Sequence, residues 1–258
     1  MVLYMTQIIK SLSNEHIKSI AKLNNKKFSK ESNVFVVEGK HLVDEAYKRG
    51  LLTEVLSTEE TKYTGVKQIL VTEEIIKKIS DTINPQGIIG LVMKRSEIKI
   101  DDVSNYKSII ILDGVSDPGN VGTIIRTASG FDIDLIVLGT NCVDIFNPKV
   151  IRATQGAIFD SNILITDLVG FVQKIKEKGF KIYSTALQNS VDLNTIGCDD
   201  MKKCAFIMGN EANGVSNQLI NISDKSVKID ISNKIESLNV SIAAAIVMFY
   251  LSNKNKGN

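Results

Sequence analysis

The sequence predicts an α/β protein in two parts, a small α/β unit over residues 1–100 and a larger unit over 107–258 built on a mostly parallel sheet with helices on both faces. Three observations predict it. Short β-rich runs alternate with helical patterns through the first hundred residues. The polar stretch RSEIKIDDVSNYK then breaks the pattern and marks a boundary. Beyond it, longer apolar strands alternate with helices, as parallel crossovers require. A chain of 258 residues with 43% hydrophobic content can fill one or two cores.

The first element is a helix over SNEHIKSIAKL, where Ile17, Ile20, Ala21 and Leu23 fall at roughly helical spacing and Ser13 or Asn14 can serve as N-cap. A strand VFVVEG at 34–39, a helix from Lys40 to Arg49, and strands near 54–58, 67–72 and 87–94 complete the small unit. After the boundary come the strands SIIILD (108–113), DLIVLG (134–139), NILIT (162–166), FKIYST (180–185) and CAFIMG (204–209). In an open parallel sheet the loops leaving the C-terminal strand ends form the ligand site. The closing segment LNVSIAAAIVMFYLSNKNKGN is apolar on nearly every face between Leu238 and Leu251, so it wants burial on all sides, as a core helix or as one that also serves a subunit interface.

Composition excludes several classes. No apolar run reaches the roughly 18 to 20 residues of a membrane span, and MVLYMTQIIK lacks the features of a secretory leader, so the cytoplasm is expected. Cys142, Cys198 and Cys204 are odd in number without a CxxC pair, and only His16 and His41 accompany them; neither a disulfide framework nor a metal centre is expected. The net charge of +2 says little, but Lys10, Lys18, Lys22, Lys26, Lys27 and Lys30 face Glu15 alone between residues 10 and 30. Such a run serves either as a phosphate-tracking surface or as a plain solvated face. Only Arg49, Arg95, Arg126 and Arg152 occur among 31 basic residues, which points each toward planar, bidentate recognition of phosphate or carboxylate.

Three segments carry candidate chemistry. In LDGVSDPGNVGTIIRTASGF (112–131) a strand ends, Asp117-Pro118-Gly119 turns the chain, and Asn120 can cap a helix whose second turn holds Arg126 amid Val121, Ile124, Ile125 and Ala128. In FIMGNEANGVS (206–216) a strand opens into Gly209, Asn210, Glu211 and Gly214, where glycines permit close approach of backbone. With neither GxGxxG nor GKS/T, a dinucleotide fold or P-loop is unsupported. In KIDISNKIESLNVSIAAAI (228–246), Glu236, Ser237 and Asn239 precede the apolar helix, Ser237 being a natural cap.

Together, N120-V-G-T-I-I-R126 after its DP turn, G209-N-E211-x-x-G214, and E236-S237-L238-N239-V240 resemble the SpoU, or TrmH-type, RNA 2′-O-methyltransferases in content, order and separation. NPKVIRATQGAIF (147–159) looks like a further family segment, and the N-terminal unit resembles the RNA substrate-binding domain found ahead of the catalytic domain in several members. The resemblance implies a trefoil-knotted methyltransferase domain, bound S-adenosylmethionine and a homodimer. It places cofactor contacts on Gly209, Ile229 and Leu238, with Ile207, Asn210 and Gly214 beside them, and catalytic or positioning roles on Asn120, Arg126, Glu211, Ser237 and Asn239. Glu211 and Asn120 are expected to orient Arg126, itself either the base or a phosphate clamp. Asp230 and Asn233 stand where the family usually has Pro and Gly, and Asn233 can still take a left-handed backbone. RNA follows from the 2′-hydroxyl, and the N-terminal unit favours large-subunit ribosomal RNA over transfer RNA. The rivals are a catalytically silent RNA-binding or assembly protein and a nicotinamide oxidoreductase, the latter disfavoured by the missing GxGxxG.

Overall fold

The structure, a computed structural model, describes residues 7–96, 98–187 and 189–256. The chain runs through β1 (Gln7–Ile9), α1 (Glu15–Lys22), α2 (Lys26–Glu31), β2 (Val34–Glu38), α3 (Lys40–Lys48), β3 (Leu52–Ser57), β4 (Lys67–Val71), α4 (Glu73–Ile79) and β5 (Ile88–Met93). It continues through β6 (Ser108–Asp113), α5 (Pro118–Gly130), β7 (Leu135–Gly139), α6 (Pro148–Thr154), β8 (Ile163–Thr166), α7 (Leu168–Glu177) and β9 (Lys181–Thr185). β10 (Ser190–Asp192), α8 (Cys198–Met201), β11 (Cys204–Gly209), α9 (Asn217–Ile222), β12 (Lys225–Lys228) and α10 (Val240–Lys256) complete it. These elements form two compact units, Met1–Ser96 with Asp144–Phe159, and Glu97–Val143 with Asp160–Asn258.

The first unit holds a mixed sheet in the order β1-β4-β3-β5-β2. Asn14, rather than Ser13, caps α1, its Oδ1 accepting from the amides of His16 (2.9 Å) and Ile17 (3.4 Å). Ile17 and Ile20 of α1 and Ile75, Ile76 and Ile79 of α4 pack onto Leu56, Ile69 and Ile89 of the sheet. Helix α4 has no counterpart in the expected elements, yet its signals are local: Thr72 caps it, Glu73 and Glu74 open it, and Lys77 and Lys78 close it, each charge complementing the helix dipole.

Residues 144–159 lie within the expected catalytic part, 107–258, but the structure packs them into the first unit. The cause is aromatic: the Phe35 ring lies 4.9 Å from Phe146 and 6.2 Å from Phe159, and Arg152 Nη2 donates to Asp81 Oδ2 at 2.9 Å. None of these contacts has a periodicity that a sequence displays.

The second unit carries a seven-stranded sheet, β10-β12-β9-β11-β6-β7-β8, in which every pairing is parallel. Five of its strands, β6, β7, β8, β9 and β11, coincide with the five expected ones to within a residue at either end. One face buries Ile109, Ile111, Val137, Ile182 and Ile207 beneath Phe171, Val172 and Ile175 of α7. β6 and β11 lie side by side with Asp113 opposite Gly209, so the loops leaving both strands emerge together. α10 packs against α5 and buries Val240, Ala244, Val247, Met248 and Leu251. Burial on all sides is not reached, because Ile242 and Phe249 remain 51% and 54% exposed. They stand seven residues apart and so share one helix face. No helix among the described residues is long and apolar enough to cross a membrane.

Candidate active site

Two capping residues differ from those the sequence suggested, and the difference creates the site. Asp117 caps α5, its Oδ1 accepting from Asn120 N at 2.8 Å with Pro118 in the first turn, so Asn120 sits inside the helix with a free side chain. Asn239, not Ser237, caps α10, its Oδ1 accepting from Ser241 N at 2.9 Å, Ser241 Oγ at 2.6 Å and Ile242 N at 3.4 Å. Ser237 is exposed two residues earlier.

The freed amide of Asn120 joins the three motifs. Its Nδ2 donates to Glu211 Oε1 at 3.0 Å and its Oδ1 accepts from Asn239 Nδ2 at 3.0 Å. Glu211 also accepts from the amides of Asp117 (3.3 Å) and Ser116 (3.4 Å) and from Ser116 Oγ (3.4 Å). Each orientation is thereby fixed, since an ionised carboxylate only accepts and each asparagine must turn its NH₂ toward the next acceptor. Partial burial alone would raise the Glu211 carboxyl, but the hydrogen bonds from Asn120 and from backbone amides outweigh it and hold its pKa below the ordinary value.

Arg126 stands apart. It is exposed, and among the described residues it has no hydrogen-bond or ion-pair partner, so Glu211 and Asn120 do not orient it as expected. Helix geometry gives the reason: six residues advance the helix by about 600°, which turns Arg126 roughly 120° away from Asn120. Glu211, moreover, is already engaged by the loop amides and Asn120.

The Gly209–Val215 loop is self-supporting. A bridge of two backbone hydrogen bonds, Asn210 N to Gly214 O (3.0 Å) and Gly214 N to Asn210 O (2.9 Å), closes it. Asn210 Oδ1 accepts from Ala212 N (3.0 Å) and Asn213 N (3.1 Å), and its Nδ2 donates to Gly114 O (2.8 Å), so the Asn210 side chain shapes the loop. A Cβ on Gly209 would lie 2.1 Å from Gly214 C, and Gly214 has φ +67°. Gly209→Ala is therefore expected to destabilise the fold by roughly 1–3 kcal/mol, read as a drop in Tm; an unchanged Tm would show that the loop can open without cost.

Ile207, expected beside the cofactor, is fully buried, with its carbonyl accepting from Thr185 Oγ1 at 2.9 Å, and supports the strand end as part of the core. Ile229 and Leu238 are half-buried at either end of the segment joining β12 to α10. Asn233 does not take the left-handed backbone; Ser232 makes the turn instead, its Oγ accepting from Lys234 N (3.4 Å) and its carbonyl from Ile235 N (3.5 Å). Sequence reasoning missed Asp113, buried at the end of β6, whose Oδ2 accepts from Ser216 N at 2.8 Å and ties the two loops at their base. The visible signal was an acid terminating an otherwise wholly apolar strand, SIIILD.

Residues 107–249 match the model of the SpoU rRNA Methylase family, and residues 14–90 match the MRM3-like substrate binding domain. The 23S rRNA (guanosine(2553)-2′-O)-methyltransferase RlmP of Bacillus subtilis is 34% identical over 249 residues, covering 94% of this chain and 98% of its own. An AdoMet-bound rRNA methyltransferase from Sinorhizobium meliloti superposes with a TM-score of 0.87 at 29% identity, covering 96% of this chain and 98% of that one. The SpoU methyltransferase AviRb from Streptomyces viridochromogenes, in complex with AdoMet, shares the fold at TM-score 0.83 and 18% identity, covering 95% of this chain and 99% of that one. The chain belongs to the SpoU rRNA methylase family, and is an RNA methyltransferase.

Proposed function

We propose that this chain transfers a methyl group from S-adenosylmethionine to a ribose 2′-hydroxyl of large-subunit ribosomal RNA. The observation that carries the reading is the hydrogen-bonded chain Glu211–Asn120–Asn239, which binds the three motifs into one site above the ends of β6 and β11.

The residues fit the cofactor. Between Ile229 and Leu238 the backbone makes, among the described residues, only the two weak turn contacts at Ser232, so its amides and carbonyls stand free. Half-buried Ile229, Ile231 and Leu238 flank those free groups and suit an apolar and hydrogen-bonding ligand. S-adenosylmethionine, when bound, supplies the electrophilic methyl group. The protein's part is positioning, which accounts for most of the gain in a transfer needing in-line approach. Glu211, Asn120 and Asn239 hold the loops rigid, Gly209 and Gly214 set the loop shape, and Ser237 lies exposed at the rim to meet the ribose. A guanidinium with a pKa above roughly 12 is a poor base, so Arg126 clamps the phosphate next to the target hydroxyl, and that phosphate shares in removing the proton.

In this reading residues 1–100 bind RNA and 107–258 catalyse, the latter with the family's trefoil knot, and the enzyme works in the cytoplasm as a homodimer. The exposed Ile242 and Phe249 support a dimer, since they leave an apolar face on α10. Phe249→Asp is expected to shift the dimer to monomer in light scattering without unfolding it; a dimer that survived would place the interface elsewhere.

Transfer of labelled methyl from S-adenosylmethionine to unmodified ribosomal and transfer RNA tests the substrate class. Label in large-subunit RNA is expected, label confined to transfer RNA would reassign the substrate, and cofactor binding with no label in either would indicate a silent binder.

A further inference from the structure

The first unit presents a loop, Ser80–Gly87, that is unusually well fixed for one with an apolar tip. At its start, Glu38 accepts from Ser80 Oγ (2.5 Å), Asp81 N (3.2 Å) and Thr82 Oγ1, while Arg152 holds Asp81 (2.9 Å). At its end, Gln86 Oε1 accepts from Lys40 N (3.1 Å) and Gly87 O from Thr58 N (3.0 Å). Between these anchors Ile83 is 94% exposed, the most exposed of the large apolar residues among the described residues. Single exposed aliphatics are common on proteins. What sets this one apart is that its backbone is pinned on both sides of Ile83.

The surroundings are basic. Asn24 Nδ2 donates to Ile79 O at 2.6 Å, and Asn24 and Asp81 line one cleft, which brings the turn between α1 and α2 against the root of the loop. That turn is flanked by Lys22, Lys26 and Lys27, and by Phe28, 39% exposed with Lys22 Nζ 5.5 Å from its ring centroid. Lys77, exposed in the last turn of α4, leads into the loop, while Lys78 Nζ donates to Leu12 O at 2.8 Å and Asp81 at the loop root is paired with Arg152. Apolar groups set among lysines suit a polyanion whose flat faces are accessible. Double-stranded RNA hides its base faces, whereas unpaired nucleotides expose them.

We infer that the Ser80–Gly87 loop and the lysine-rich turn at Asn24 form the surface that grips an unpaired stretch of the RNA, Ile83 covering the face of one base while the lysines track the phosphates. The inference rests on the reading of the chain as an RNA methyltransferase and adds to it where, and in what form, the RNA is held. A strand seated here has its bases splayed toward Ile83 and Phe28, and no base-specific hydrogen bond is required.

The test uses the full chain, with filter binding of deproteinised large-subunit RNA as the readout and methyl transfer measured in parallel. Ile83→Ser is expected to weaken RNA binding about tenfold, with Tm and S-adenosylmethionine affinity unchanged, while Ile83→Met binds normally. The Lys26→Ala/Lys27→Ala pair is expected to flatten the dependence of log affinity on log salt by about 1.4, the value for two phosphate contacts to a single strand. Unchanged RNA affinity in Ile83→Ser would overturn the inference, as would loss of affinity for a fully duplex RNA equal to that for a single strand. If the parent chain binds RNA through Ile83 yet methylates none, the catalytic reading fails and this surface stands. If it binds no RNA, both fail.

Discussion

Replacement of Arg126 by alanine is expected to lower kcat for methyl transfer by roughly 10² to 10³-fold, the range seen when one oriented donor is removed from a reacting centre. Tm and S-adenosylmethionine affinity should not change. The structure supports this separation, because Arg126 is exposed on α5 and among the described residues makes no hydrogen bond or ion pair whose loss could weaken the fold. Its neighbours Val121, Ile124, Ile125 and Ala128 carry the packing of that helix. Arg126→Lys distinguishes a clamp from a mere positive charge. The lysine keeps the charge but loses the planar fork, so it should recover little of the lost rate. Near-normal turnover in the lysine variant would show that Arg126 neither clamps nor accepts a proton.

Asn120→Asp is the second large effect, and it acts by a different route. The substitution changes almost no volume but replaces the NH₂ that faces Glu211 Oε1 at 3.0 Å by an acceptor. Two carboxylates then meet across the loop, at a cost of about 1–2 kcal/mol in this partly exposed position. Because Glu211 also orders Ser116 and Asp117, the disturbance reaches the cap of α5, and transfer should fall at least about tenfold. The pH dependence carries a definite sign. In the parent chain the Glu211 pKa is depressed, so its contribution to stability is present above the ordinary carboxylate range and is lost only as pH falls through the depressed value. In the variant the two carboxylates must share a proton, so one pKa is raised. The stability deficit is therefore full above that raised value and shrinks as pH falls through it. Melting temperatures of both chains between about pH 8 and about pH 5 check this, and a deficit independent of pH would show that charge repulsion is not its cause.

Much of the fold was legible because the determining signals are local. β6, β7, β8 and β11 are dominated by apolar and β-branched residues, and a parallel sheet buried on both faces writes such runs. β10 and β12 escaped notice for the opposite reason: SVD and KSVK are short, polar and at one edge, held in place by neighbours rather than by their own pattern. The packing of residues 144–159 was equally invisible, since it depends on which aromatic meets which across more than a hundred residues of chain.

The site was legible in membership but not in wiring. Asn120, Glu211 and Asn239 do come together. The two cap assignments went to the neighbouring polar residue in each case, although one could have been settled from sequence: proline favours the first helical position, so DPGN places the cap on Asp117 and frees Asn120. The orientation of Arg126 was misjudged because family position was followed where the helical period, which places it on another face, should have decided. The loop-shaping bonds of the Asn210 side chain and the full burial of Ile207 depend on tertiary partners that the motif itself does not display.

Alkaline hydrolysis of RNA labelled by this enzyme shows which atom receives the methyl group. A methylated 2′-oxygen cannot attack the adjacent phosphate, so the label is expected in an alkali-resistant dinucleotide, and the Arg126→Ala chain should yield almost none. Label recovered in ordinary mononucleotides would place the methyl on a base, and the enzyme would not be a ribose 2′-O-methyltransferase.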